Sequence, residues 1–273
     1  MSPHFANELS LVVLGACAGG CAGLLAGLLG IGGGVVIVPV VFYGLVINHT
    51  TPDLAAHVAV STSLAAILPA ALISSFTHWR AGNADLDFLL KWGPGIGFGV
   101  VTGQLAAPHL RGAVLTGVFA MVCILFAARF IFPGQFRPFR QTPPESWLRQ
   151  ILSSGIGLSS GLAGVGGGIV TNVVMNLSGV SMHKSIGRAA AVGVVVSIPA
   201  TIVAAFGPGP HSVTQLGTID LTIWVCIAPT QAIAAWFGAR LAQHIDGPQL
   251  SRVFGLVLAV TGTAMLRSAV LAT

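Results

Sequence analysis

Long stretches without a charged side chain constrain the fold of this chain more than any other feature. None of Asp, Glu, Lys or Arg occurs in residues 9–52, 92–110, 112–128, 150–183, 189–219 or 221–239. Only 7% of the 273 residues are charged, whereas a soluble globular domain carries about 25%. Because about 20 apolar residues cross a bilayer as a helix, the pattern predicts an all-α polytopic membrane protein.

Two glycine-rich clusters indicate that the chain is built twice. GLLGIGGG at 27–34 and GLAGVGGG at 161–168 each contain five glycines in eight residues, and matching glycines lie 134 residues apart. A second set of matches, 135 residues apart, pairs Gly82, Asp85, Pro94 and Gly103 with Gly217, Asp220, Pro229 and Gly238. The sequence therefore predicts two transmembrane repeats, at 1–131 and 147–273, joined by a cytoplasmic linker at 132–146.

Each repeat contains five apolar segments. They fall near 8–29, 33–47, 55–76, 90–108 and 113–131, and near 147–163, 167–180, 189–206, 220–240 and 250–270. An odd number of segments per repeat inverts one half relative to the other, as in many secondary transporters. The linker is rich in arginine, and positively charged loops face the cytoplasm, so we expect both termini outside. The first ten residues contain no Lys or Arg, which predicts that no signal peptide is cleaved.

The segments that follow the glycines, 34–47 and 168–180, are too short to cross a hydrocarbon core of about 30 Å. We therefore expect about eight full membrane helices plus two short half-helices, each reached through a Gly-rich tip within the membrane, as a broken or re-entrant hairpin. The first N–H groups of a helix have no intrahelical partner and attract anions. The predicted anion site consists of Ile31, Gly32, Gly33, Gly34, Val35, Val165, Gly166, Gly167, Gly168 and Ile169.

Hydroxyl and amide groups are the expected side-chain donors of that site. Three consecutive hydroxyl residues precede Pro69 in the third segment, and a proline inside a helix opens the local backbone. The expected donors are Ser61, Thr62, Ser63 and Asn172. Ordinary packing between membrane helices is the alternative role for the hydroxyls.

Titratable side chains at segment ends offer further roles. Asp53 and His57 could couple transport to protons, or could be a helix cap and a boundary histidine. Lys184 and Arg188 could admit anions from the cytoplasm, or could reflect only the positive-inside rule. We expect a small anion and lipid as partners, with a proton or sodium ion as a candidate coupling ion and a homo-oligomer as an open alternative. Metal-ligand spacings and a basic face for nucleic acid are missing from the sequence, so we expect no metal, no cofactor and no nucleic acid.

Two other functions fit parts of the sequence. GLSSG at 157–161 matches the G-x-S-x-G pattern of serine hydrolases, with Ser159 as the nucleophile. The matching stretch of the first repeat, GLLAG, has no serine, and the pattern requires a strand–turn–helix context. An anion channel of the same fold is the other alternative.

The chain resembles the sulfite exporter TauE/SafE family, also called the 4-toluene sulfonate uptake permease family. The resemblance is carried by GLLGIGGGVVIVP, GLAGVGGGIV, AVSTSL at 59–64 and the closing stretch 216–262. It implies a prokaryotic inner-membrane permease, not an enzyme, for sulfite or organosulfonates such as sulfoacetate. The family is often described with eight membrane helices, which agrees with the ten segments if the half-helices are not counted. The second copy reads AAAVGVVVS where the first has its Thr-Ser pair, which implies that the halves coordinate the anion unequally.

Overall fold

The computed structural model describes residues 3–131, 146–209 and 212–271, and these ranges contain ten α-helices. The first five are α1 (Pro3–Leu29), α2 (Gly34–Ile47), α3 (Pro52–Arg80), α4 (Leu86–Ala106) and α5 (Gly112–Ile131). The last five are α6 (Ser146–Ala163), α7 (Gly168–Leu177), α8 (Met182–Phe206), α9 (Leu221–Leu241) and α10 (Gly247–Leu271). Short 3-10 turns follow α4 and α9, and a small hairpin of β1 (Gln215–Leu216) and β2 (Ile219–Asp220) precedes α9.

Helices that are long and apolar enough to cross a membrane dominate this fold. Within the described ranges, five qualify by length and composition: Pro52–Arg80, Gly112–Ile131, Met182–Phe206, Leu221–His244 and Pro248–Val270. The prediction of an all-α polytopic membrane protein is confirmed. The number of full spans and the repeat boundaries stay predictions, and the linker predicted at 132–146 lies, apart from its last residue, outside the described residues.

The two half-helices start at the predicted glycines and end in the same way. α2 ends at Ile47, as predicted, and α7 ends at Leu177, three residues earlier than predicted. A left-handed residue follows each helix, His49 with φ 64° and Gly179 with φ 77°. The next N–H group reaches back across that residue, as Val180 does to Met175 O at 3.0 Å. This arrangement stops a helix by satisfying its last carbonyl groups.

The third helices of the two halves, α3 and α8, pack against each other in opposite directions. Gly187, near the start of α8, lies against Asn83, which follows the end of α3. Farther along α8, Gly193 lies against Ala71, which is farther back along α3.

The fifth helices repeat this relation. Gly255, near the start of α10, contacts Ile131 at the end of α5, whereas Gly262 contacts Cys123. In these two pairs the helices run antiparallel, which is the relation that an inverted repeat requires. How the halves are oriented in a membrane stays a prediction.

Glycines also allow helices of one half to pack closely against helices of the other half. α1 packs along α9, where a Cβ on Gly23 would overlap the Gln231 carbonyl oxygen. α6 packs along α4 in the matching way, with Gly157 against the Ile96 carbonyl oxygen. These contacts place the ends of α1 and α6, and therefore both glycine-rich tips, in the interior of the protein.

Candidate functional site

The two glycine-rich tips meet in the interior. A Cβ on Gly34 would overlap the carbonyl oxygen of Gly164, and a Cβ on Gly168 would overlap that of Gly30. Residues 30–35 and 163–169 are buried throughout. The glycines therefore allow backbone to lie against backbone from opposite halves of the chain.

Both tips have the same left-handed backbone at matching positions. In the first tip, φ is 67° at Gly30, 75° at Gly32 and 80° at Gly33. In the second tip, φ is 74° at Gly164, 61° at Gly166 and 77° at Gly167. Residues other than glycine rarely adopt this conformation. The two clusters, which share their glycine spacing, therefore form the same turn, once in each half.

The N-termini of the half-helices converge at this contact. α2 begins at Gly34, beside Gly164 and Val165, and α7 begins at Gly168, beside Gly30. The start of a helix carries partial positive charge and N–H groups without intrahelical partners. Two such ends therefore face the centre of the protein, one from each half.

Amide side chains from the second half hold the first tip. Asn172 Nδ2 donates to Leu29 O at 2.7 Å, and Gln231 Nε2 donates to Gly32 O at 2.7 Å. Both side chains are fully buried. Asn172, predicted as a substrate donor, is therefore a tip-holding residue in this conformation, and Gln231 was not among the predicted site residues. The sequence feature that could have indicated Gln231 is its position, two residues after Pro229 in a stretch without charges.

The second tip is held from the first half. Ser63 Oγ donates to Gly164 O at 2.9 Å, and Gln104 Nε2 donates to Gly161 O at 2.6 Å. The two tips thus exchange hydrogen bonds with the opposite halves of the chain. Moving one half against the other would break these contacts together.

Three buried polar atoms on α7 and α9 have no hydrogen-bond partner among the described residues. They are Thr171 Oγ1, Asn172 Oδ1 and Gln231 Oε1, on side chains with no solvent exposure. An unpaired buried polar atom typically costs about 1–3 kcal/mol. Such a cost is retained most readily where a ligand satisfies the atom during function.

A cavity of about 460 Å³ lies between the start of α3, the turn after α4 and the end of α8. Its polar wall consists of His57, Ser61, Gln104, His109 and Thr218, and no Lys, Arg, Asp or Glu belongs to the described residues that line it. Gln104 lines the cavity and also contacts Gly161. The cavity therefore ends beside the second tip.

The hairpin before α9 covers the hydroxyl cluster of α3. Thr218 Oγ1 lies 2.7 Å from Ser61 Oγ, and Asp220 N–H donates to Thr62 Oγ1 at 3.0 Å. Because Thr218 donates to Ser61, the Ser61 O–H is left to donate in turn. Ser61, Thr62 and Ser63 thus point to three different places: the cavity, the hairpin and the second tip.

Asp53 and His57, of which His57 lines this cavity, join three elements. Asp53 Oδ1 accepts the Gly112 N–H at 2.5 Å, so it caps α5 rather than its own helix. His57 places Nδ1 2.8 Å from Asp53 O and Nε2 3.1 Å from Ala107 O. Both ring nitrogens of His57 thus lie at hydrogen-bond distance from backbone carbonyl oxygens.

Arg188 forms an ion pair at the opposite end of α3. Its Nη2 and Nε lie 2.8 Å and 3.1 Å from Asp85 Oδ2, and its guanidinium lies 5.0 Å from the Phe88 ring centroid. Burial raises the pKa of the Asp85 carboxyl, but hydrogen bonds from Arg188 and the Phe88 N–H, with the charges of Arg188 and Lys184, outweigh burial and lower that pKa. Lys184 itself is exposed.

The hydrolase pattern lies within helix α6. Ser159 Oγ donates to Gly155 O at 2.7 Å, one turn back along the same helix. The strand–turn–helix context of a G-x-S-x-G nucleophile is replaced here by continuous helix. Among the described residues, no group of three His, Cys, Asp or Glu side chains is arranged to hold a metal ion.

Comparison with known proteins decides the family. The profile described as sulfite exporter TauE/SafE matches residues 15–265. This chain belongs to the sulfite exporter TauE/SafE family. The resemblance seen in the sequence is thereby confirmed, and it covers both tips, the hydroxyl cluster and the cavity.

Relatives of this TauE/SafE protein are named as transporters. A probable membrane transporter protein of Haemophilus influenzae is 29% identical over 267 residues, which cover 96% of this chain and 98% of the relative. The probable membrane transporter protein YunE of Bacillus subtilis is 25% identical over 270 residues, covering 92% of each chain. The probable membrane transporter protein MJ0441 of Methanocaldococcus jannaschii is 24% identical, covering 87% of this chain and 88% of the relative. No solved structure matches the chain. The protein is a membrane transporter.

Proposed function

We propose that this protein is a secondary transporter for small sulfur-containing anions, such as sulfite or organosulfonates of the sulfoacetate type. The family description supports the substrate class. The observation that carries the proposal is the convergence of two half-helix N-termini at the contact between Gly34 and Gly164. These ends favour negative charge through partial rather than full charges, so an anion can bind there and still leave.

The cavity beside the second tip is the proposed approach to that site. Ser61 and Thr218 supply hydroxyl groups there, and Gln104 joins the cavity wall to Gly161. An anion in the cavity would accept the Ser61 O–H and then move between the tips. Thr62, Ser63 and Asn172 would become available as donors once the tips separate.

Alternating access follows from the way that the tips are held. Hydrogen bonds such as Ser63 to Gly164 O and Asn172 to Leu29 O cross between the halves. The buried backbone contact closes the centre in this conformation, which favours a carrier whose halves move over a static anion channel. One repeat rocking against the other would open the site to each side in turn.

The distribution of positive charge supports an orientation. Of the ten Lys and Arg residues in the described ranges, eight lie at the end where α3 and α9 finish, and Arg111 and Arg267 lie at the other. The eight are Arg80, Lys91, Arg129, Arg149, Lys184, Arg188, Arg240 and Arg252. By the positive-inside rule, the end with these eight residues faces the cytoplasm of a prokaryotic inner membrane. Both termini and the cavity then face outward.

Coupling to a cation is part of the proposal. The unpartnered oxygens of Asn172 and Gln231 are acceptors, and a sodium ion or a proton carried on the substrate would satisfy them. His57, one of the two histidines that line the cavity, is the proposed proton-coupling residue.

Counterflow in proteoliposomes tests the function. Vesicles with the full-length protein would be loaded with unlabelled sulfite and diluted into labelled sulfite, then tested with sulfoacetate, sulfate and thiosulfate. Transient accumulation with sulfite or sulfoacetate is expected. Flux that neither saturates nor shows counterflow would indicate a channel, and accumulation of none of these anions would refute the substrate class.

A further inference from the structure

A wide groove on the surface of the protein lies between the last turns of α3 and α9. It has a volume of about 960 Å³. Its walls are mainly apolar, and Phe76, Ile233 and Phe237 are 54%, 62% and 56% exposed. The groove therefore presents apolar surface to the membrane interior, separate from the cavity and the tips.

Two guanidinium groups lie at the end of this groove. Arg80 stands 5.4 Å from the centroid of the Phe76 ring, and Arg240 stands 3.9 Å from that of the Trp236 ring. Within the described part of the chain, neither arginine has a carboxylate at ion-pair distance. No acidic side chain belongs to the described residues that line the groove, whose other polar groups are Thr77 and Gln243.

We propose that this groove binds one anionic phospholipid, with its phosphate between Arg80 and Arg240 and its acyl chains along the apolar walls. Basic pockets between membrane helices on the cytoplasmic side bind anionic headgroups. From Leu72 to Arg80 the groove follows about 12 Å of helix at ~1.5 Å per residue, close to one leaflet, half of a core of about 30 Å. The proposal does not depend on which anion is transported.

A second copy of the chain fits this groove less well. In a two-fold interface the same patch of each subunit faces its equivalent. The two arginines of one copy would then face the two of the other, with no carboxylate in the groove to compensate. A phospholipid brings the missing negative charge.

Fluorescence quenching by brominated lipid tests the proposal on the full-length protein. Trp236 lies in the groove, so its share of the quenching is the difference between the protein and its Trp236→Phe variant. The vesicles would contain brominated phosphatidylglycerol or brominated phosphatidylcholine at increasing mole fraction. We expect half-maximal quenching of Trp236 at a mole fraction roughly tenfold lower for phosphatidylglycerol, since each of the two arginines favours an anionic headgroup.

Variants at matched positions complete the test. In the double variant Arg80→Gln, Arg240→Gln, both lipids should quench Trp236 equally. The variant Arg252→Gln should keep the preference for phosphatidylglycerol, because Arg252 is exposed at the same end of the molecule but does not line the groove. Equal quenching by the two lipids in the unmodified protein would overturn the proposal, as would a preference that survives the double variant. Protection of Trp236 from both lipids, together with a dimeric mass, would show a second copy in the groove instead.

Discussion

Gly34 of the first half and Gly164 of the second lie so close that one methyl group would not fit between them. Gly168 and Gly30 make the reciprocal contact. Two short helices, each too short to cross a bilayer alone, thereby bury their N-termini against each other. Because glycine has no side chain, the backbones of the two halves can contact each other directly at this point.

Alanine at Gly34 or at Gly168 should destabilise the protein. Each adds a methyl group against a carbonyl oxygen of the opposite tip, and such overpacking costs about 1–3 kcal/mol. Thermal unfolding in detergent should show a lower Tm for both variants. Gly44→Ala is the control, because it lies in α2 with open space where its Cβ would be, and alanine is favoured there by about 1 kcal/mol. A Tm for Gly34→Ala equal to that of Gly44→Ala would show that the tips do not pack as described.

Replacing Ser61 by alanine should weaken anion binding more than turnover. Its hydroxyl lines the cavity and can donate to an anion, and a hydrogen bond to a charged group contributes about 1.5–3 kcal/mol. The KM for sulfite counterflow should rise about tenfold or more. Thr263→Ala is the control, because Thr263 is exposed and bonds only within its own helix. An unchanged KM in Ser61→Ala would remove Ser61 from the pathway.

The ion pair between Asp85 and Arg188 should stabilise the protein at neutral pH and lose that effect in acid. Because the pKa of Asp85 is lowered in the folded protein, its contribution is present above the unfolded pKa, about 4, and is lost as pH falls through the lower folded value. Asp85 is about half exposed, so solvent screening limits the effect to about 1 kcal/mol or less.

Asp85→Asn isolates that charge, since asparagine still caps α4 through the Phe88 N–H. Its Tm should lie below that of the unmodified protein at pH 7 and approach it below pH 4. Asp220→Asn is the matched control, because Asp220 caps α9 in the same way at the corresponding position of the second half, and its carboxylate forms no ion pair with any described residue. Equal losses for both variants at pH 7 would mean that the cap, not the ion pair, matters.

Local features were predictable from the sequence because they depend on neighbouring residues. Charge-free runs gave the helices, and the glycine clusters gave the starts of α2 at Gly34 and α7 at Gly168. The ends were less predictable: α7 stops at Leu177 because Gly179 takes a left-handed conformation, which a count of apolar residues does not register.

Contacts between distant residues could not be predicted in the same way. Nothing near Gln231 in the sequence indicates that its amide reaches Gly32, 199 residues away. The sequence position of Asp53 offers it as a cap of its own helix, yet it caps α5 through Gly112. These pairings depend on how the two halves are packed, and the spacing of residues along one half does not contain that information.

Counterflow of labelled sulfite through variants of the tips tests the central claim most directly. Gly33→Ala and Gly167→Ala add a side chain at matching left-handed positions that also pack tightly, whereas Gly82→Ala imposes the same left-handed strain in open space. We expect the unmodified protein and Gly82→Ala to accumulate sulfite transiently, and both tip variants to lose it while the amount of membrane-inserted protein stays the same. Full counterflow in either tip variant would contradict an anion site between the two tips.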